Sequence, residues 1–202
     1  MIELIYPYEL DLPVIPPTTA SNPVVKDTVC EYFPVVEPNG LVTGRSTRTY
    51  CHSGAKPLHP VVHIHIIDRY SRIYLQKRSI KKDIQPGKWD TSVGGHVSFG
   101  ESFLEAAFRE AYEELKLEEF NPIHLETYIF ESEIEKEMVC IFAAIGSYDL
   151  TPDLDEVDEG RWWHVEEIES GLGKGIFTPN FESEFKMIRS SLLALLYAIV
   201  AF

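Results

Sequence analysis

Glu110, Glu113 and Glu114 stand at three- and four-residue spacing in a stretch of helical periodicity, and at 100° per residue their side chains fall within about a 100° arc. Carboxylates sharing a helical face repel by a few tenths of a kcal/mol per pair, and no lysine is interleaved to relieve them. A hard divalent cation reverses that penalty, because Mg²⁺ takes oxygen ligands and neutralises phosphate oxygens at the same time. Upstream, Gly94-Gly95 lets backbone carbonyls come close to a ligand, and Glu101 sits just outside the start of the helix. Lys77, Arg78, Lys81, Lys82 and Lys88 cluster before the acidic helix. Charge-assisted hydrogen bonds from such residues hold an anionic group such as phosphate, and Arg78 and Lys82 are the expected phosphate-binding pair.

The elements that must position these groups follow from local patterns. Ser102 with Glu105 forms a capping box, and Leu104, Ala107, Phe108, Ala111 and Leu115 continue at helical spacing to an end near Lys116. Thr178 before Pro179 reads as an N-cap with proline at the first helical position, followed by a buried stripe of Phe181, Phe185, Ile188, Leu192 and Leu196. Strands are expected at residues 59–68, 72–78, 123–131, 137–145 and 160–164. In the first of them, Val62, Ile64 and Ile66 face one way and Val61, His63, His65 and Ile67 the other. Pro38-Asn39-Gly40 closes a small hairpin between residues 31–36 and 41–44. Residues 1–30 hold five prolines and no period, so they read as an extended arm, with one domain over 31–202.

Composition bounds the function. The chain has 202 residues, 45% apolar, and a net charge of −14, which fits an ordinary packed domain and makes it a poor general partner for nucleic acid. Residues 101–169 carry 21 acids against 4 bases. The first 14 residues lack the basic and apolar segments of a secretory signal, and no apolar run reaches the ~20 residues of a membrane span, so a cytoplasmic location without membrane contact is expected. Cys30, Cys51 and Cys140 are too scattered for a disulfide framework and read as small buried residues. The arm and the apolar C-terminal helix are suited either to a homodimer or to covering a pocket.

From Gly95 the chain runs five residues to Glu101, seven more to Arg109-Glu110, then through Glu113-Glu114 to Leu115-Lys116-Leu117. This string resembles the Nudix box of the MutT-like Nudix hydrolases. The resemblance implies an α/β Nudix fold, a mixed sheet sandwiched between helices, and a pyrophosphohydrolase cleaving a diphosphate linked to another moiety, such as a nucleoside diphosphate derivative. It further implies Mg²⁺, or Mn²⁺ in its place, on Glu110, Glu113 and Glu114 with the carbonyl of Gly94, and a Glu101–Arg109 salt bridge that orients the helix. Glu110, Glu113, Glu114, Arg109 and Glu101 are thus the expected catalytic set, with Glu110 or Glu156 as general base. Lys116 departs from the pattern, which has glycine there; lysine in a left-handed helix end costs on the order of 1 kcal/mol, so a different end is expected.

A second set is similar to a motif series of the isopentenyl-diphosphate isomerases of the same superfamily: Cys51-His52, Leu58-His59, Gly94-Gly95-His96 and Glu135-Lys136-Glu137. That likeness implies a second divalent metal on His52, His59, His96, Glu135 and Glu137, an N/O donor set suited to Mn²⁺, Zn²⁺ or Fe²⁺. The isomerases' proton-transferring cysteine would stand where this chain has Gly94, and glycine transfers no proton. Hydrolysis is therefore the expected activity, with an isomerase-like reaction or a non-catalytic nucleotide sensor as alternatives.

Overall fold

The structure is a computed structural model and describes residues 1–7, 12–15, 31–81, 85–153 and 157–200. Lys82, Glu156 and Cys30 lie outside the described residues. The chain forms two compact units, Met1–Val62 with Gly95–Ala106 and Thr127–Cys140, and His63–Gly94 with Ala107–Glu126 and Ile141–Phe202.

In chain order the elements are β1 (Tyr32–Val36), β2 (Val42–Thr47), α1 (Arg48–Cys51), β3 (Leu58–Ile67), β4 (Arg72–Arg78), β5 (Trp89–Asp90), β6 (Val93–His96), α2 (Phe103–Leu115), β7 (Pro122–Glu131), β8 (Lys136–Ile145), β9 (Val157–His164), α3 (Val165–Gly171) and α4 (Pro179–Val200). The main sheet has the order β5-β4-β3-β8-β7, with β6 on β3 and β9 on β4. The architecture is α/β, a mixed sheet with helices. Among the described residues no helix is long and apolar enough to cross a membrane.

In the first unit, β1 and β2 form the expected hairpin, with Gly40 at φ +90° in the turn and the Asn39 side chain accepting from the Leu41 amide at 3.1 Å. That positive φ is what the turn demands and what glycine supplies without strain. The described part of the arm lies along this hairpin through isolated bridges, Ile5 to Leu41 and Val14 to Arg45. Farther on, the Tyr6 hydroxyl accepts from the Gly100 amide and donates to the Glu101 carbonyl.

In the second unit, Ile64, Ile66, His65 and Ile67 are all fully buried, so the facing pattern of β3 does not separate a core side from a wet side. A strand buried on both faces is the mark of a central position in an α/β sheet. Trp89, Trp163, Phe177 and Phe181 pack edge-on or tilted in succession, and Phe181 stacks on Phe185, tying β5 and β9 to α4. Thr178 caps α4 by accepting from the Phe181 amide at 3.1 Å, and its whole expected stripe is buried.

Two expectations for α2 need correction. Its buried residues are Phe103, Ala106, Ala107, Ala111 and Leu115, whereas Leu104 and Phe108 are more than a third exposed. Three alanines let the helix sit close to its support, and the larger Phe108 is left at the margin, where it packs on Phe120 at 4.7 Å. The helix also ends in the left-handed geometry that the family pattern assigns to glycine. Lys116 has φ +56°, its amide bonds to the Tyr112 carbonyl at 2.9 Å, the bond of an αL closure, and the Leu117 amide bonds to the Ala111 carbonyl at 3.1 Å. Its ammonium returns to the Glu113 carbonyl at 3.3 Å. Lys116→Gly is therefore expected to stabilise the fold by about 0.5–1 kcal/mol, the removed side-chain clash less glycine's extra chain entropy, and to raise the thermal midpoint by about 1–4 °C. A midpoint that falls in calorimetry would show that the lysine contacts outweigh the strain.

Cys51 and Cys140 are buried and free, and burial pushes both thiols up to about 11.

Candidate active site and metal centre

The box glutamates belong to the second unit and do not form one uniform solvent face. Glu113 is 56% exposed, whereas Glu110 is 13% exposed and lies on the flank nearer the core. Arg109 reaches both, at 2.7 Å from Glu110 and 3.1 Å from Glu113, which relieves part of their repulsion. Glu114 is held from a strand. The Gln76 amide on β4 donates to Glu114 Oε2 at 2.7 Å and also to the Ser92 carbonyl, while the Ser92 hydroxyl accepts from the Ile66 amide and donates to the Tyr74 carbonyl. One glutamine thus locks a box carboxylate to the segment that leads into Gly94. The Asp153 amide adds a bond to the Glu114 carbonyl at 2.8 Å.

Gly94 packs closely on its neighbours: a β-carbon there would stand 3.3 Å from His63 Cδ2 and 3.5 Å from Thr91 Cγ2. Such closeness leaves little room for a side chain at this position, and Glu110, Glu113, Glu114 and the Gly94 carbonyl offer hard oxygen donors of the type that Mg²⁺ accepts. Arg78 lies on β4, about a third exposed, with Asp90 at 3.4 Å. Glu101, in the first unit, accepts from the Ser98 amide at 2.9 Å.

Next to Gly94 is a group that sequence reasoning passed over. The Glu184 carboxylate of α4, 1% exposed, is shared by two imidazoles of β3, His63 Nδ1 at 2.6 Å and His65 Nε2 at 2.8 Å. Burial alone would raise the Glu184 carboxyl, but the His63 charge and the two hydrogen bonds hold it well below the usual carboxylate range.

The first unit gathers the second expected set. One ligand atom from each of His52, His59, His96 and Glu137 lies within 4.8 Å of the others. His52 Nε2 is 3.1 Å from His96 Nε2 and 3.4 Å from Glu135 Oε2, so Glu135 adjoins the cluster too. Two carbonyls orient the rings. Arg48 O takes His52 Nδ1 at 2.8 Å and Pro57 O takes His59 Nδ1 at 2.9 Å, so in both the proton sits on Nδ1 and the Nε2 lone pair faces inward. His59 Nε2 is buried without a hydrogen-bond partner, the polar orphan that a metal would satisfy. Phe33 stacks on His96 at 4.3 Å and 4° and on His59 at 5.8 Å and 15°, fixing the ring planes from the hairpin side. Ligands about 2.1 Å from a tetrahedral ion lie about 3.4 Å apart, so the widest pairs of this group would draw in by on the order of 1 Å around an ion.

Burial lowers the His59 ring to about 4, with smaller contributions from the Pro57 bond, which raises it, and from His52 and Arg48, which lower it. The folded ring therefore refuses a proton that the unfolded chain accepts near 6.5. In metal-free protein this stability is fully present above about pH 6.5 and is lost as pH falls toward 4, by up to about 3 kcal/mol. Urea titrations in chelator at pH 7 and pH 5 measure it; an equal drop in His59→Gln would assign the effect elsewhere.

The comparisons with known proteins now fall into place. The NUDIX domain model matches residues 57–181. A Nudix hydrolase of Yersinia pestis is 32% identical over 154 residues, 75% of this chain and 82% of the relative. An isopentenyl-diphosphate Delta-isomerase of Leifsonia xyli is 31% identical over 135 residues, 61% of this chain and 71% of the relative. Among solved structures, a Deinococcus radiodurans protein superposes with a TM-score of 0.67 at 21% identity, covering 78% of this chain and 99% of that one. The chain belongs to the Nudix family.

Proposed function

We propose that this chain is a Mg²⁺-dependent pyrophosphohydrolase acting on a diphosphate linked to a second moiety. The observation that carries the reading is the oxygen-donor set on α2, complete at Glu110, Glu113 and Glu114, with Glu114 tied through Gln76 to the approach to Gly94. Mg²⁺, when bound there, withdraws charge from phosphate oxygens and acidifies water. A glutamate, Glu110 or Glu156, takes a proton from water; the water oxygen bonds to one phosphorus in line as the bridging P–O bond breaks, and the second phosphoryl group leaves with the bridging oxygen. Arg109 holds Glu110 and Glu113 in place, Glu101 fixes the turn before α2, and Arg78 and Lys82 bind phosphate. A second divalent ion belongs on His52, His59, His96 and Glu137, with Glu135 beside them.

The His52-His59-His96-Glu137 cluster also favours a second reading, isomerisation of a prenyl diphosphate, and the Leifsonia xyli relative is named for that reaction. Against it, residue 94 is a glycine with no proton to give. A panel of nucleoside-diphosphate sugars, dinucleoside polyphosphates, coenzyme A, NADH and prenyl diphosphates, assayed with and without Mg²⁺, separates the two. Mg²⁺-dependent phosphate-bond cleavage supports hydrolysis. Interconversion of the prenyl isomers without cleavage overturns it.

A further inference from the structure

Within the second unit, β4 and β9 run antiparallel with Arg72 opposite His164, so these two side chains project side by side from one face of the sheet. Tyr70 stands in the turn before β4, where Asp68 Oδ1 accepts from the Tyr70 and Arg72 amides, both at 2.9 Å. Tyr70, Arg72 and His164 line a hollow of about 330 Å³. Its polar groups are donors. Asp68 Oδ2 takes Arg72 Nε at 2.8 Å and Nη2 at 2.7 Å, which fixes the guanidinium and leaves Nη1 without a partner among the described residues. The Tyr70 oxygen accepts from Arg69, so its own proton can be given to a ligand. The His164 ring carries an N–H in either protonation state.

The acceptors nearby are spent. Both Asp68 oxygens are occupied, and Glu167 at the start of α3 is turned to the His164 amide at 2.9 Å and to Arg161 at 3.3 Å. Aromatic faces keep the cations in place: Arg69 and Arg72 stand 4.7 and 5.3 Å from the centre of the Tyr70 ring, and Arg72 stands 5.8 Å from that of Trp162. Two guanidiniums against the one carboxylate of Asp68 leave this spot positive on a chain of net charge −14. We propose that the hollow binds the phosphate group of a phosphate monoester, with Arg72 Nη1, the Tyr70 hydroxyl and a His164 ring nitrogen each donating to one oxygen. Three donors match the three terminal oxygens of such a group, whereas a carboxylate has two. The volume is at the small end of ligand pockets yet exceeds a phosphate alone, so part of the ester's organic portion fits too. The site is distinct from the α2 carboxylates: Arg72 precedes Gln76, the partner of Glu114, by four residues, about 13 Å of strand.

The test uses the whole chain in chelator, so that no metal-held phosphate contributes, with inorganic phosphate and a nucleoside monophosphate as probes. In ¹H–¹³C spectra the ring signal of His164, identified by its loss in H164Q, should shift and saturate as either probe is added, and sodium chloride at equal ionic strength should not reproduce the shift. R72K keeps a positive charge beside Asp68 but loses the fork, and should bind about tenfold more weakly. Y70F keeps the ring and loses one hydroxyl, and should bind about fivefold more weakly with a thermal midpoint near that of wild type. Tighter binding of the monophosphate than of phosphate assigns the site to an ester; equal affinity overturns the ester and makes the ligand free phosphate. A His164 signal that stays still or drifts without saturating overturns the site altogether, as do R72K and Y70F affinities both within twofold of wild type.

Discussion

Glu114→Gln is expected to lower hydrolysis of the preferred diphosphate by about 10³-fold while the protein remains folded, the scale of losing a general base or a main electrostatic partner of the transition state. The substitution is informative because of what it spares. Glutamine at 114 still offers a side-chain oxygen to the Gln76 amide, a bond of 2.7 Å in the wild-type chain, and the backbone bond from Asp153 is untouched. Only the negative charge is lost, and with it the share that this carboxylate is proposed to take in holding Mg²⁺. Circular dichroism and melting should match wild type within about 0.5 kcal/mol, whereas steady-state turnover collapses and excess Mg²⁺ restores little of it. Turnover near the wild-type rate would remove the α2 carboxylates from the chemistry.

The second large effect concerns the histidine cluster. Adding Mn²⁺ or Zn²⁺ at about a hundred times its dissociation constant should stabilise wild type by about 2.7 kcal/mol, about 5–10 °C in a chain of this size. His59→Ala should abolish that shift. Its absolute midpoint will also fall, since His59 is wholly buried and alanine leaves a void beside Phe33. The decisive quantity is thus the difference between melts with and without metal, which a simple packing loss does not change. Glu137→Gln, at a site 11% exposed, gives the same readout with less loss of volume. An undiminished metal shift in both variants would place the ion elsewhere.

How much of this was legible beforehand depends on the length of the signal. Residues 72–78 and 178–200 carried enough alternation or helical period, with caps, to define β4 and α4 closely. The short α1 and α3, of four and seven residues, and β5 and β6, of two and four, offer too few positions for a period to emerge, and tertiary bonds specify them instead. On α2 the capping box was readable and the apolar stripe only in part, because a pattern of letters does not say that small alanines seat deeper than Leu104 and Phe108. The box glutamates were visible as three like charges on one face. Gln76 was not, being a lone polar residue in an apolar strand whose partner lies 38 positions away. His63, His65 and Glu184 were hidden for the same reason, their bonds spanning about 120 residues; the signal available was a pair of histidines at period two and a glutamate inside an otherwise apolar helical stripe.

Phe33 carries a consequence beyond packing. Its ring lies face to face with His96 and His59, so the hairpin that carries it and the ion that those histidines would hold depend on one ordered arrangement. Linkage then makes the dependence mutual: an ion that favours the stacked geometry favours the docked hairpin by the same factor that the docked hairpin improves the ion's affinity. The bridges from Ile5 to Leu41 and from Val14 to Arg45 extend that cycle into the N-terminal segment. Trimming residues 1–15, far along the chain from any ligand, should therefore appear as a greater metal requirement.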